Sequence, residues 1–143
     1  MAANTSPIYT LSPDVSTDGS TGMGTTLTTA ANDYTGISVN NVLEFTAGAD
    51  GSYIRKIRFK AVGTNVATVA RIYINNGSTN TSANNNSFYE EVSLPATTTT
   101  ATSPTATIDV PMEIGINAGF KIYIGLGTTV VGGWIATVVG GKY

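Results

Sequence analysis

The chain has 143 residues, of which only 11% are charged, and its formal net charge is −2. This length corresponds to one domain. A slightly acidic balance argues against nucleic acid as a partner, because binding by counterion release needs a basic excess. The sequence contains no histidine and no cysteine. Ser-His-Asp and Cys-His nucleophile systems are therefore excluded, as are zinc sites built from these residues.

Residues 1–33 are polar and rich in Thr, Ser and Gly. We interpret them as an extended N-terminal arm or irregular segment that carries one or two short strands and is too polar to pack alone. The N-terminus lacks the basic and apolar regions of a Sec-type signal peptide. No run approaches the roughly 20 apolar residues of a membrane span. These features predict a protein made in the cytoplasm, without a membrane partner.

From residue 40 onward, apolar residues recur at every second position, which is typical of half-buried strands and excludes an amphipathic helix. The residues predicted to face inward are Ile57, Phe59, Ala61, Val66, Ala70, Ile72, Ile74, Ile108, Val110, Met112, Phe120, Ile122 and Ile124. Trp134 alternates with Ala136 and Val138 and is predicted to anchor the core.

Turn and loop signals separate these strands. Gly- and Asn-containing turns are predicted at 48–52, 63–65 and 117–119, and polar loops at 75–87 and 95–105. Pro111 has no N–H for a ladder, so it predicts an edge strand or a bulge. The result is about eight strands, which need two layers to cover their apolar faces. Residues 34–143 are therefore predicted to form a single-domain, all-β, jelly-roll-like sandwich.

Acidic residues are the remaining candidates for catalysis. A glycosidase-like pair of carboxylates is formally possible among Glu44, Glu90, Glu91, Asp109 and Glu113. Glu90 and Glu91 are adjacent in a strand, however, so they point to opposite faces. Solvated carboxylates, and a protein that is not an enzyme, are the preferred interpretation.

No cofactor site is predicted from the sequence. The glycine-rich residues 19–24 and 127–133 lack the Lys-Ser/Thr pair of a phosphate-binding loop and are interpreted as turns. Residues 14–19 place two aspartates near a glycine without the spacing of an EF-hand. No metal site is predicted, although calcium at 14–19 stays an open alternative.

Four of the seven basic residues lie within residues 53–60. Alternation places three of them on one outward face, while Arg55 has the opposite parity but can reach water at the strand's start. Two interpretations remain open: a solvated face that discourages edge-to-edge aggregation, or a contact surface for an acidic partner. Outward residues of the next strand are predicted to extend this surface by cross-strand pairing. The candidate protein-contact patch consists of Lys56, Arg58, Lys60, Arg71 and Tyr73.

The segments IRKIRFKAVGTNVATVARIYINNG, EEVSLPATTTTAT and GTTVVGGWIATVVGGKY resemble small all-β structural proteins of tailed bacteriophages and prophages. In size, lack of cysteine, slight acidity and long polar loops, the chain is similar to head decoration (cement) proteins. The resemblance implies a non-enzymatic protein of the virion, located on the capsid surface. Its implied partner is the major capsid protein, whose subunits it bridges, or another virion protein. A homo-oligomer is implied, with a trimer favoured.

The alternative is a carbohydrate- or receptor-binding jelly roll on the virion surface or tail. This alternative predicts an exposed platform of aromatic side chains, for instance Tyr73, Tyr89 or Tyr123. Exposed tyrosines are common on strands, so the residues alone leave both functions open.

Overall fold

The computed structural model describes residues 10–15 and 25–143, and nearly all of its regular structure is β. The strands are β1 (Ser12–Val15), β2 (Thr26–Leu27), β3 (Val42–Thr46), β4 (Ser52–Ala61), β5 (Thr68–Asn75), β6 (Asn86–Leu94), β7 (Thr107–Ile116), β8 (Lys121–Leu126) and β9 (Trp134–Lys142). One 3-10 turn, Ala83–Asn85, precedes β6. Within the described residues, no helix is long and apolar enough to cross a bilayer. The all-β prediction is confirmed.

The strands form two antiparallel sheets. The first has the order β1-β9-β4-β7, with β2 also paired to β9, and the second has the order β3-β8-β5-β6. From β3 onward, successive strands alternate between the sheets, except for β5 and β6, which are neighbours in one sheet. An order in which the first strand lies beside the last is that of a jelly roll. The predicted β-sandwich is therefore confirmed, and the described residues contain nine strands where about eight were predicted.

Strands β1 and β2 together occupy one edge of the first sheet. Both pair antiparallel with β9. Ala30 forms a further bridge with Leu126 at the end of β8. The described parts of residues 1–33 are thus paired to both sheets. Residues 1–9 and 16–24 lie outside the described part of the chain, and the role of residues 1–33 as an arm stays a prediction.

The core lies between the sheets and follows the predicted alternation. Its buried members include Ile57, Phe59, Ala61, Ala70, Ile72, Val110, Met112, Ile122, Ile124, Trp134, Ala136 and Val138, while Ile74, Ile108 and Phe120 are partly buried against them. Trp134 is fully buried, as predicted for a core anchor. The prediction for Val66 is wrong. This residue is 58% exposed, because β5 begins only at Thr68 and Val66 lies in the loop before it.

Two bulges change the alternation of the first sheet. The pairing of β4 with β9 shifts between Ile54 and Lys56, so that Arg55 is an extra, exposed residue and Ile54 still faces the core. The pairing of β7 with β4 shifts beyond Pro111, where Glu113 has a φ of 50°. Because β7 is also an edge strand, the expectation drawn from Pro111 is confirmed.

The turn predicted at 48–52 is present, but it does not close a hairpin. Gly51 has a φ of 91° and donates its N–H to the Gly48 carbonyl at 3.1 Å. The strands on either side, β3 and β4, belong to different sheets. The turn therefore carries the chain across the sandwich, which needs the same backbone chemistry as a hairpin turn.

Candidate functional site

The outer faces of the two sheets carry different chemistry, and the predicted contact patch is divided between them. Lys56, Arg58 and Lys60, which we call the basic row, lie on β4 in the first sheet. Arg71 and Tyr73 lie on β5 in the second sheet. Strand β4 pairs with β7 and β9 and not with β5, so the predicted cross-strand extension of the patch is wrong.

The basic row is held in place by groups on and before β7. Arg58 Nε and Nη2 donate to Oδ1 and Oδ2 of Asp109 at 2.7 and 2.8 Å. Lys56 Nζ lies 3.4 Å from Asp109 Oδ2, and Lys60 Nζ donates to the Thr105 carbonyl at 2.8 Å. The side chains of Lys56 and Arg58 are nevertheless 32% and 48% exposed. The cations are therefore both positioned and accessible.

The Arg58–Asp109 bond stabilises the charged forms of both side chains. Hydrogen bonding from Arg58 holds the pKa of Asp109 at about 2, below its usual 3.8, and the positive charges of Arg58 and Lys56 add to this against the effect of desolvation. The same bond raises the pKa of Arg58. Asp109 therefore stays ionised to a lower pH than an ordinary aspartate, and the basic row presents three cations against this one carboxylate.

A row of half-buried, mostly apolar side chains lies beside the basic row, formed by Ile135, Thr137 and Val139 on β9. Each of them pairs with one cation of the basic row. Paired residues of antiparallel strands point to the same side of the sheet. We call this combined surface the basic face. It combines a local positive charge, which attracts acidic groups, with apolar area that can be covered.

The second sheet carries a transverse row of large side chains on its outer face: Leu43, Tyr123, Tyr73 and Phe88 pair in register across its four strands. Tyr73 is fully buried, and its ring centroid lies 5.5 Å from that of Phe88. Tyr123 is half-buried, and burial raises the pKa of its hydroxyl. Three tyrosines were considered as a sugar-binding platform, and of these Tyr89 is the most exposed, at 42%.

Residues 31–41, which we call the covering loop, bury the outward side chains of β5. The Tyr73 hydroxyl donates to the Asp33 carbonyl at 2.7 Å, and Arg71 Nη1 donates to the same oxygen at 3.1 Å. Arg71 is only 7% exposed. Both residues point away from the core, as predicted, but they do not form part of an open surface.

The Asp33 carboxylate fixes the shape of the covering loop. Its Oδ1 accepts the N–H groups of Thr35 and Gly36 at 2.9 and 2.5 Å, and its Oδ2 accepts those of Ser38 and the Asn41 side chain at 2.8 and 3.3 Å. Burial acts to raise the pKa of Asp33, but these hydrogen bonds outweigh it, and the pKa is lowered. A charged carboxylate that accepts several N–H groups makes a firm local structure.

Arg71 also positions two groups that reach the surface. Its guanidinium stacks on the Tyr34 ring, with Cζ 4.0 Å from the centroid, and its Nη2 donates to the Tyr34 hydroxyl at 3.0 Å. Its Nε donates to Glu91 Oε1 at 3.1 Å. Phe88 meets Tyr34 edge to face at 5.7 Å. We call Tyr34, Phe88 and Glu91 the aromatic site.

The aromatic site could not be predicted from strand alternation, because a bulge changes the parity of β6. Strict alternation places Phe88 and Glu90 on one face. The pairing of β5 with β6 shifts at Tyr89, and Phe88 and Glu91 consequently share the outer face. Glu90 and Glu91 do point to opposite faces, as predicted.

The carboxylates considered for catalysis are divided between the sheets, with Glu44, Glu90 and Glu91 on the second sheet and Asp109 and Glu113 on the first. Several are engaged as structural acceptors: Glu91 binds Arg71, Asp109 binds Arg58, and Glu113 accepts the Tyr53 hydroxyl.

In the described part of the chain, no cluster of three or more acidic side chains is placed to hold a metal ion. Within the segment 14–19 considered for calcium, Asp14 is buried on β1, with Oδ2 3.8 Å from Lys142 Nζ. Residues 16–19 of that segment lie outside the described residues.

One end of the sandwich carries exposed valines. Val62 and Val66 follow β4 and Val131 precedes β9, and they are 44%, 58% and 93% exposed. Their two loops touch at Gly63 and Gly132, where a Cβ on either residue would overlap the other backbone. We call these three residues the valine tip.

No family model, curated protein or solved structure matches this chain. By its fold the protein is a jelly roll. One of its outer faces is basic, the other is aromatic, and one end carries an apolar tip.

Proposed function

We propose that the protein is a non-enzymatic structural protein of a tailed-phage virion, which decorates the capsid and stabilises it by bridging subunits of the major capsid protein. It takes up the expectation drawn from the sequence, where segments within roughly residues 43–143 resemble small phage structural proteins. The jelly-roll fold is compatible with it, since viral capsid domains use the same architecture. The basic face is the single observation that carries it.

The basic face is suited to an acidic protein surface. Its cations are already held by Asp109 and Thr105, so that little side-chain freedom is lost on docking. A local positive patch attracts an acidic partner even when the net charge of the protein is −2. The adjacent row on β9 provides apolar area that a partner can cover. Nucleic acid would instead need a larger basic excess.

The proposal also assigns a role to the valine tip. A homo-oligomer, with a trimer favoured, presents several basic faces at once, and this multiplies the effective affinity for a capsid lattice. The valine tip offers an apolar contact between copies of the chain. Val131 is 93% exposed, and its loop packs against the loop of Gly63 at Gly132.

The experiment is a reconstitution. Purified protein is added to expanded capsids prepared without it, and bound protein is measured by sedimentation. Saturable binding is expected, at a copy number matching the symmetry axes of the head, together with a higher temperature of capsid disruption. If the protein stays in the supernatant, or binds without changing capsid stability, the proposal is wrong.

A further inference from the structure

We propose that the aromatic site formed by Tyr34, Phe88 and Glu91 binds a pyranose ring of a neutral saccharide. This inference is independent of the capsid proposal, because the site lies on the outer face of the other sheet.

The stacking platform is the ring of Tyr34. Arg71 packs on this ring at 4.0 Å and Phe88 meets it edge to face at 5.7 Å, yet Tyr34 is 61% exposed and Phe88 is 41% exposed. The C–H face of a pyranose is apolar and packs on such a ring, as other apolar groups do. Because the ring is already fixed by its neighbours, little conformational freedom is lost when a sugar binds.

Glu91 provides the polar group that a sugar needs. Its side chain is 36% exposed, and its Oε1 accepts one bond from Arg71 Nε at 3.1 Å. A carboxylate has about four acceptor positions, so it can also accept bonds from vicinal sugar hydroxyls. The carboxylates of Glu91 and Asp33 outnumber the one guanidinium of Arg71, which disfavours uronic acids and other anionic sugars, and the expected ligand is therefore neutral.

Arg71 is the positioning residue of the aromatic site. It is only 7% exposed, and its guanidinium contacts Tyr34, Glu91 and the Asp33 carbonyl at the same time. Arg71 holds the covering loop through its bond to the Asp33 carbonyl. This structural role does not explain why Tyr34 and Phe88 are exposed to solvent on the same face. An exposed aromatic ring beside a fixed carboxylate offers a sugar one apolar contact and one hydrogen-bonding contact.

The test begins with the full chain on an array of neutral and acidic glycans, followed by calorimetric titration of the free sugar with the strongest signal. Binding to neutral glycans is expected. Tyr34→Ala and Phe88→Ala are each expected to weaken it about tenfold or more, which corresponds to the loss of one good stacking contact. Glu91→Gln is expected to weaken it as well. The control is Tyr143→Ala, which removes an aromatic ring next to the first sheet and should bind like the original protein.

The inference is overturned if no glycan binds, if only acidic glycans bind, or if Tyr34→Ala and Phe88→Ala, with unchanged circular dichroism, bind as before. The two proposals fail separately. Tyr34→Ala is expected to bind capsids normally, so loss of sugar binding alone concerns the aromatic site, whereas loss of capsid binding alone concerns the basic face.

Discussion

At the scale of single residues, the pair of Arg58 and Asp109 is the best-defined ionic contact of the basic face. Arg58 makes two bonds to the Asp109 carboxylate, and both side chains are partly exposed. Exposed pairs contribute little to stability. Their effect is to fix the position of the Arg58 guanidinium and to keep Asp109 ionised down to a pH of about 2.

The pKa of Asp109 is the first prediction. A ¹³C NMR titration is expected to give a pKa of about 2, because Arg58 donates to the charged form. Arg58→Gln should move the midpoint up toward the usual 3.8. Since the pKa is lowered in the folded state, the stabilisation by this pair is present above pH 3.8 and is lost as the pH falls toward 2. A midpoint near 3.8 in the original protein would show that the pair does not form.

Strand alternation predicted burial correctly for side chains that pack into the core. Ile57, Phe59 and Trp134 are buried as expected. It failed for the exposure of Arg71 and Tyr73, because what buries them is an irregular loop 38 and 40 positions earlier in the chain. A loop held by carbonyl oxygens leaves no periodic pattern in the sequence.

At the scale of elements, Asn65 joins three loops at one end of the sandwich. Its Nδ2 donates to the carbonyls of Gly63 and Gly133 at 3.1 Å and to Thr97 Oγ1 at 3.0 Å, while its Oδ1 accepts the Gly133 N–H at 2.6 Å. Asn65 is 5% exposed, and these bonds are therefore poorly replaced by water. The side chain sets the positions of the loops that form the valine tip.

Asn65→Ala is accordingly expected to lower the free energy of unfolding by roughly 2–3 kcal/mol, because it leaves buried backbone groups without partners. Urea denaturation followed by the fluorescence of Trp134 measures this. Asn40→Ala is the matched control, since Asn40 is exposed and its side chain donates to the Ala30 carbonyl. Equal midpoints for the two variants would contradict the role given to Asn65.

The strands themselves were predictable to within a few residues, but their assignment to sheets was not. The turn at Gly51 signals a tight reversal, and only the long-range pairing of β3 with β8 shows that it crosses the sandwich. Bulges at Arg55 and Tyr89 also leave no clear signal, since an extra residue in a strand is fixed by its neighbours. The bulge at Arg55 lies before the basic row and leaves its alternation intact, whereas the bulge at Tyr89 separates Phe88 from Glu91, so the row was found from sequence and the aromatic site was not.

At the scale of the whole molecule, the two outer faces and the valine tip are separate surfaces on one jelly roll. Their separation means that a substitution on one surface leaves the other two intact, so the proposed capsid and sugar contacts can be removed separately, while loss of the proposed trimer is expected to weaken capsid binding only through the loss of multivalency. This is the property that makes the proposed functions testable one at a time.

The valine tip gives the prediction for assembly. Light scattering is expected to show about 44 kDa, three times the chain mass of 14.7 kDa. Val131→Asp should give the mass of a single chain, because a charge cannot be buried unpaired in an apolar contact. Circular dichroism should be unchanged, since Val131 is 93% exposed. A variant that keeps the mass of the original protein would exclude the valine tip from the contact.

The most direct test of the capsid proposal compares two charge reversals. Lys56→Glu changes the basic face, and Lys121→Glu makes the same change of charge on the other sheet, where Lys121 contacts the Ser78 carbonyl at 3.4 Å. Binding of each variant to expanded capsids is measured by sedimentation across a range of concentrations. The account predicts at least about tenfold weaker binding for Lys56→Glu and none of this loss for Lys121→Glu. Equal binding by both variants, with folding intact, would contradict it.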